Sequence, residues 1–412
     1  MGPKLYTVGN GFLETHVTWK DIESSLLKDR ELKVKFGPNK NVRQVGEGTG
    51  FMSRIAVIDA DYQKEVDLPQ KFAVKIVTLL PSLGMAKSIK ERHEQKFTDE
   101  EVLDDFAKTS RNNHNREVDI YQAFSKFDNS LSKMPHVYFT QKFTKDNDLK
   151  GFIGMEFIEN VVVRDISQNM EPDELYEAID ALAYLEAKSL ELNDEEKRKV
   201  ASNPIPVIYP PLIHATAVSK MIQEIYATAP ELEPAGKVLE TMTAEFVDLE
   251  LTSALNEELG MQDVFVHGDL WSANLIWTNT ANGLSLTGIV DYQLAHFGCP
   301  AEDLTRLFIS TMSGKDRRKN WERLLEKFYE DLQKYCTGNL PFTLDQLKES
   351  YRRMFPIAGV LLLPTFGNVS EENSVKMKDL LKEKKLALLE DMLFFAKRNR
   401  DIRPSTNSLV PT

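Results

Sequence analysis

Only two cysteines, Cys299 and Cys336, occur in 412 residues, with no CxxC and no adjacent histidine pair. A disulfide framework and a zinc site are therefore excluded as organising features, and a reducing compartment is expected. Basic residues are also short. Against 63 Asp and Glu there are 51 Lys and Arg, a net charge of −12. That balance argues against nucleic-acid binding as the main activity. It accommodates a cationic small-molecule partner, although solubility explains it equally well. Long apolar runs are missing: the longest, Phe355 to Phe366, is interrupted by Pro356 and Pro364 and is too short to cross a bilayer. The N-terminus lacks the apolar core of a signal peptide, and Tyr6 stands where myristoylation of Gly2 requires Ser or Thr. The histidines outside the 267–274 segment (His16, His93, His114, His136, His214 and His296) form no ligand set. No internal repeat or long linker is visible. A soluble, cytoplasmic protein is expected, and 412 residues with 42% apolar content predict two lobes or domains.

Along the chain, Thr18 is placed to cap a helix running to about Leu32. Strand-like runs flank Val45-Gly46-Glu47-Gly48-Thr49-Gly50-Phe51, and Lys71 to Val77 alternates as a further strand. Residues 82–110 read as a loop with part of a helix, and Asn112 to Phe127 as a helix. Val137 to Phe143 and Gly151 to Phe157 read as strands. Beyond about residue 160 the periodicity turns helical. Pro172 to Leu190 is amphipathic, while four prolines in Asn203 to Pro211 predict a loop without regular structure. Helices are expected over 215–259 and from Asp303 to about Asn399, with the basic runs Lys315 to Arg323 and Lys397 to Arg403 on solvated faces. The class is α+β: a β-rich half, residues 1–158, then a mainly helical half with a small sheet, residues 159–412.

What the chain does have is His267-Gly268-Asp269-Leu270-Trp271-Ser272-Ala273-Asn274, followed by Gly288-Ile289-Val290-Asp291. Asp263 to Val266 is a short strand leading into this loop, and Leu275 to Trp277 and Leu284 to Val290 return as a hairpin ending at Asp291. Phosphoryl transfer asks a protein to orient the attacking hydroxyl and to hold Mg²⁺ against the phosphates. An H-x-D-L-x-x-x-N run with an aspartate at a following strand end supplies both. In that reading Asp269 is the base, and Asn274 and Asp291 are the metal ligands. Asp303 either caps a helix or braces the loop, and His267 orients the loop rather than moving protons.

Gly46, Gly48 and Gly50 would let the backbone approach phosphate oxygens, though taken alone they fit a tight hairpin as well. Lys75, in Ala73-Val74-Lys75, offers a charge to the α- and β-phosphates. Glu117 is the helix acid expected to hold that lysine; Asp119 falls on another helical face. Glu156 to Ile158 would be the hinge whose backbone meets adenine. Tyr292-Gln293 follows Asp291, and Asp303 comes only twelve positions later. This leaves little room to dock a protein substrate and favours a small-molecule acceptor. Trp271 and Tyr292 are candidates to line its pocket, with core packing the default for both.

The motifs at 267–274, Ile289-Val-Asp291-Tyr-Gln293, Pro300-Ala-Glu-Asp303-Leu and Gly46 to Ser53 resemble the CHK kinase-like family. That family is a branch of the choline kinase, aminoglycoside phosphotransferase and ecdysteroid kinase-like superfamily. The resemblance spans about residues 18–400. Trp271-Ser272 is similar to the variant expanded in invertebrates, including nematodes, and Tyr292 replaces a more usual Phe or Trp. The resemblance implies a bilobal protein-kinase-like fold, ATP and Mg²⁺, and phosphorylation of a small-molecule hydroxyl such as that of a choline-, aminoglycoside- or steroid-like alcohol. A catalytically silent binding module is the competing reading, and a protein kinase a more distant one.

Overall fold

The computed structural model describes residues 2–31, 33–46, 52–83, 100–210, 212–281, 283–366 and 375–402. The chain forms two compact units: Met1–Asn129 with Met134–Glu159, and Ser130–Lys133 with Asn160–Thr412. The first unit is built on a five-stranded antiparallel sheet. Its strands are β1 (Asn41–Val45), β2 (Ser53–Asp59), β3 (Lys71–Val77), β4 (Val137–Gln141) and β5 (Phe152–Glu156), in the order β1-β2-β3-β5-β4. The glycine segment thus connects an antiparallel hairpin. Gly46 leaves β1 with φ +65°; Gly48 and Gly50 lie outside the described residues.

Period two in β3 decides what each face of the sheet meets. Phe72, Val74 and Ile76 join one apolar core with Val17, Ile22 and Leu26, the last two on helix α1 (Trp19–Arg30). Lys75, on the alternate positions, meets helix α2 (Glu100–Phe124) instead. Thr18 stands at the start of α1 as expected, and Asp21 takes both its backbone N–H (2.8 Å) and its hydroxyl (2.6 Å). Helix α2 begins twelve residues before the expected Asn112. Its first turns are rich in acid, yet Ala107 is buried and Phe106 packs beside it.

The second unit is mainly helical. Its principal helices are α3 (Tyr176–Ser189), α4 (Ala215–Thr228), α5 (Leu251–Leu259), α6 (Ala301–Thr311), α7 (Gly314–Tyr335), α8 (Leu344–Leu362) and α9 (Val375–Ile402). Two small antiparallel sheets complete it. One has the order β6-β8-β9, from Val161–Val163, Leu275–Thr280 and Gly283–Ile289; the other pairs β7 (Val264–Val266) with β10 (His296–Gly298). The expected α+β class is the one observed. In α3, Ile179, Leu182 and Leu185 are buried, each contributing roughly 1.5–3 kcal/mol. Two expectations need correction. The proline-rich segment contains a helical turn, Ile205–Ile208, with Pro206 in its first turn, where the missing N–H is harmless. The Lys315–Arg323 face is not wholly solvated, since Arg317 is buried. No helix among the described residues is long and apolar enough to cross a membrane.

Candidate active site

Strand β7 is fully buried and delivers the 267–274 loop. The loop's shape is held from below by α6. Asp303, fully buried, accepts the His267 N–H on Oδ2 (2.6 Å) and the Gly268 N–H on Oδ1 (3.0 Å). It sits within α6 and caps nothing; bracing the loop is its role. Gly268 is left-handed (φ +76°), and a Cβ there would meet Leu294 O at 2.4 Å, so no side chain fits. Burial pushes the Asp303 carboxyl up to about 7, against the pull of those two amides, and Glu302 pushes it further.

His267 is locked. Its Nδ1 accepts the Asp269 N–H (3.2 Å) and its Nε2 faces the Val290 carbonyl (3.0 Å). A carbonyl can only accept and an amide only donate, so the ring is neutral with its proton on Nε2. Tyr292, also fully buried, packs against this ring with centroids 4.6 Å apart. It is a core residue, not part of a pocket wall.

The Asp269 carboxylate is gripped on both oxygens. Arg306 Nη1 donates to Oδ1 (2.9 Å) and also to Gly268 O (2.6 Å). Asn274 Nδ2 donates to Asp269 O (2.8 Å) and, more weakly, to Oδ2 (3.3 Å). Both atoms facing the Asn274 amide are acceptors, which fixes the amide nitrogen toward Asp269. Its oxygen is left as the end able to ligate a hard cation. The Asp269 side chain keeps 24% of its surface exposed, whereas Arg306 keeps 3%. Asp269 is therefore oriented without being enclosed.

Asn274 precedes β8, and its carbonyl accepts the Val290 N–H (3.1 Å) at the end of β9. Asp291 follows immediately, left-handed at φ +70° and half-buried. That conformation is uncommon for a residue with a Cβ, though aspartate tolerates it better than most. The loop and the hairpin thus bring Asn274 beside the residue preceding Asp291. Among the described residues no group of three or more His, Cys, Asp or Glu could hold a metal. An Asn–Asp pair is still a suitable donor set for Mg²⁺, which keeps waters and takes phosphate oxygens.

In the first unit, Lys75 Nζ donates to both Glu117 oxygens (2.9 and 2.8 Å) across 42 residues of sequence. Their side chains are 6% and 1% exposed. Asp119 points to Lys142 instead (2.5 Å). Glu156 ends β5, and its N–H is taken by His136 O (2.8 Å). Ile158 lies beyond the strand, and its backbone has no partner among the described residues.

Two residues of the second unit escaped the sequence reading. Arg306 carried a usable signal: it lies three positions after Asp303, on the same face of one helix. Tyr209 carried none, coming from the proline-rich segment. Burial pushes its phenol up to about 12, Arg306 opposes that, and Asp269 and Asp291 add to it.

A relative from Caenorhabditis elegans, "Uncharacterized kinase-like protein D1044.1", is 26% identical over 58% of this chain and 62% of its own length. A second from the same organism, "Uncharacterized oxidoreductase dhs-27", is 26% identical over 79% of this chain but only 39% of its own length. The chain therefore spans less than two thirds of either relative. Among solved structures, choline kinase from Cryptosporidium parvum Iowa II aligns with 88% of this chain and 90% of its own, at 12% identity and a TM-score of 0.43. The nematode-type branch expected from Trp271-Ser272 is where both relatives lie. The sequence model of the family described as "DUF1679: Uncharacterized oxidoreductase dhs-27" matches residues 5–400, and the chain belongs to that family.

Proposed function

We propose that this chain is an ATP- and Mg²⁺-dependent phosphotransferase acting on a hydroxyl group of a small molecule. One observation carries the reading: Asp269 is fixed on both oxygens by Arg306 and Asn274 yet stays partly exposed. That is how a residue that accepts or orients an acceptor hydroxyl needs to be held. Asn274, through Oδ1, and Asp291 are assigned to the metal. Mg²⁺ held there would neutralise charge on the β- and γ-phosphates. Lys75, oriented by Glu117, is assigned to the α- and β-phosphates, the Gly46–Gly50 turn to covering them, and the Glu156–Ile158 backbone to adenine. Neutral His267 shapes the loop and moves no proton.

The short path from Asp291 to α6 supports a small acceptor. Residues 292–300 are a helical turn and β10, with Tyr292, Ala295, His296 and Cys299 at most 1% exposed. The kinase-like name of one relative supports phosphoryl transfer in general and does not bear on the acceptor. Both cysteines are free, in keeping with a cytoplasmic setting.

The oxidoreductase name belongs to a relative most of whose length lies outside the match. A dinucleotide fold requires parallel strands around a βαβ unit. Every strand pairing among the described residues is antiparallel, which disfavours that reading. Calorimetry tests the proposal. Mg²⁺ should tighten ATP binding to the wild type, and Asp291→Ala should lose that effect; an unchanged Mg²⁺ response would remove Asp291 from the metal site.

A further inference from the structure

Two adjacent residues of α9, Glu383 and Lys384, meet the corner where α6 ends and α7 begins. We propose that Lys384 is a positioning residue for the loop that carries Asp269, acting through Ser310. The inference rests on the role proposed for Asp269 and uses none of the groups assigned to the nucleotide.

The ends of a helix leave backbone groups unpaired, amides at the N-terminus and carbonyls at the C-terminus, with partial charges to match. Lys384 is fully buried. Its Nζ donates to Ser310 O (3.1 Å) and Thr311 O (3.3 Å) at the end of α6. It also donates to Ile166 O (2.9 Å) and Gln168 O (2.7 Å), in the segment that follows β6. Glu383 accepts the Gly314 and Lys315 N–H groups, at 3.0 Å each, at the start of α7. The cation thus meets the negative end of one helix and the anion the positive end of the next. A Cβ on Gly314 would collide with Ala387, so α7 begins in direct contact with α9 and the register of this clamp is fixed.

Ser310 carries the link to the loop. Its carbonyl is held by Lys384, and its hydroxyl, equally buried, accepts the Ser272 N–H (3.0 Å). The hydroxyl proton goes to Leu307 O (3.2 Å), which leaves the oxygen lone pairs for Ser272. Ser272 lies three residues after Asp269 and two before Asn274.

The acceptors around Lys384 are backbone carbonyls, and none can swing away as a carboxylate side chain would. An ammonium has three N–H groups and no lone pair, and four acceptors engage all of them. An apolar side chain would fill this space without the cost of desolvating a cation, but it would hold none of these carbonyls. What the lysine adds is a fixed place for the end of α6, and with it for the Ser310 hydroxyl.

The test uses the full chain labelled with 5-fluorotryptophan. Its Trp271 resonance, assigned with Trp271→Phe, reports the loop in the native state, which a loss of global stability alone would not move. Lys384→Met and Ser310→Ala should each shift that resonance and leave that of Trp19, in the first unit, in place. The two substitutions together should shift it no further than Ser310→Ala does. In Lys384→Ala, n-propylammonium replaces the deleted atoms and should restore the native resonance; tetramethylammonium, a cation without N–H groups, should not. ADP release from Mg-ATP should fall on the order of tenfold or more in Lys384→Ala, with ATP affinity unchanged, and recover with n-propylammonium. Lys384→Gln, which keeps two N–H donors, replaces either variant if it does not fold and is read in the same way. A Trp271 resonance left in place by a folded Lys384 variant, or rescue by both cations alike, would overturn the proposal. The expected shifts and rescue in a chain that shows no ATP turnover would leave the clamp standing and count against the phosphotransferase reading alone.

Discussion

Replacing Asp303 by asparagine is the sharpest perturbation of the loop that carries Asp269. Asp303 is fully buried and accepts two backbone N–H groups, at 2.6 and 3.0 Å. In Asp303→Asn one oxygen becomes an NH₂ facing an N–H, so above pH 7, where the wild-type carboxyl is ionised, one charge-assisted hydrogen bond is lost and a backbone donor is left unmet. A net loss of roughly 3 kcal/mol follows, from about 1.5–3 for the bond and about 1–3 for an unmet donor. The assay is amide hydrogen exchange over residues 264–271 together with urea unfolding. The His267 and Gly268 amides should exchange on the order of 100-fold faster, the equivalent of about 3 kcal/mol. The pH dependence has a definite sign. The folded carboxyl titrates near 7, above its ordinary 3.8, so between those values the native state binds more protons than the unfolded chain. The stability contributed by this group is present in full below 3.8 and is lost as pH rises through 7. Asparagine has no such slope, and the gap between wild type and variant should narrow from pH 5 to pH 8. Unchanged exchange at both amides, or a gap that widens with pH, would refute the reasoning.

Two further outcomes are expected. Glu117→Ala should cost about 3–5 kcal/mol in urea unfolding, because it removes one side of a buried ion pair, whereas Lys75→Met in a Glu117→Leu background should recover most of that loss; additive losses would contradict a pairwise interaction. Lys384 donates to the carbonyls of Ile166, Gln168, Ser310 and Thr311 at 2.7–3.3 Å, and burial lowers it from 10.5 to about 7. The unfolded chain therefore binds the extra proton between those values and stability rises with pH from 7 to 10.5; Lys384→Met should abolish that slope and cost about 3 kcal/mol or more at pH 7.

Where local chemistry decides structure, the sequence was readable. β3 runs from Lys71 to Val77 as the alternation predicts, and Thr18 stands at the start of α1 with Asp21 as partner. The segment between β7 and β8 was legible as a loop because apolar strand patterns bound it on both sides. The equally short β7 was read from its apolar run ahead of the loop, but β6 and β10 were not, since three residues carry no periodic signal and these two are fixed by their partners in the sheet. The start of α2 was hidden by acid-rich turns whose buried face is only one or two residues wide. Arg317 looked like one more exposed charge in a basic run, and only tertiary packing against Phe355 and Asp391 buries it. Tyr209 reaches the field of Asp269 through a segment whose prolines signal a loop but not its direction.

The measurement that bears most directly on the central claim is Mg-ATP turnover, read as ADP release, across a panel of hydroxylated small molecules. The panel should hold choline, ethanolamine, aminoglycosides, sterols, nucleosides and small glycosides, with Asp269→Asn as control. The account predicts release that depends on one class of acceptor and falls at least 100-fold in the variant, with ATP affinity within about twofold of wild type. A folded protein that binds no Mg-ATP, or turnover indifferent to Asp269, would contradict it.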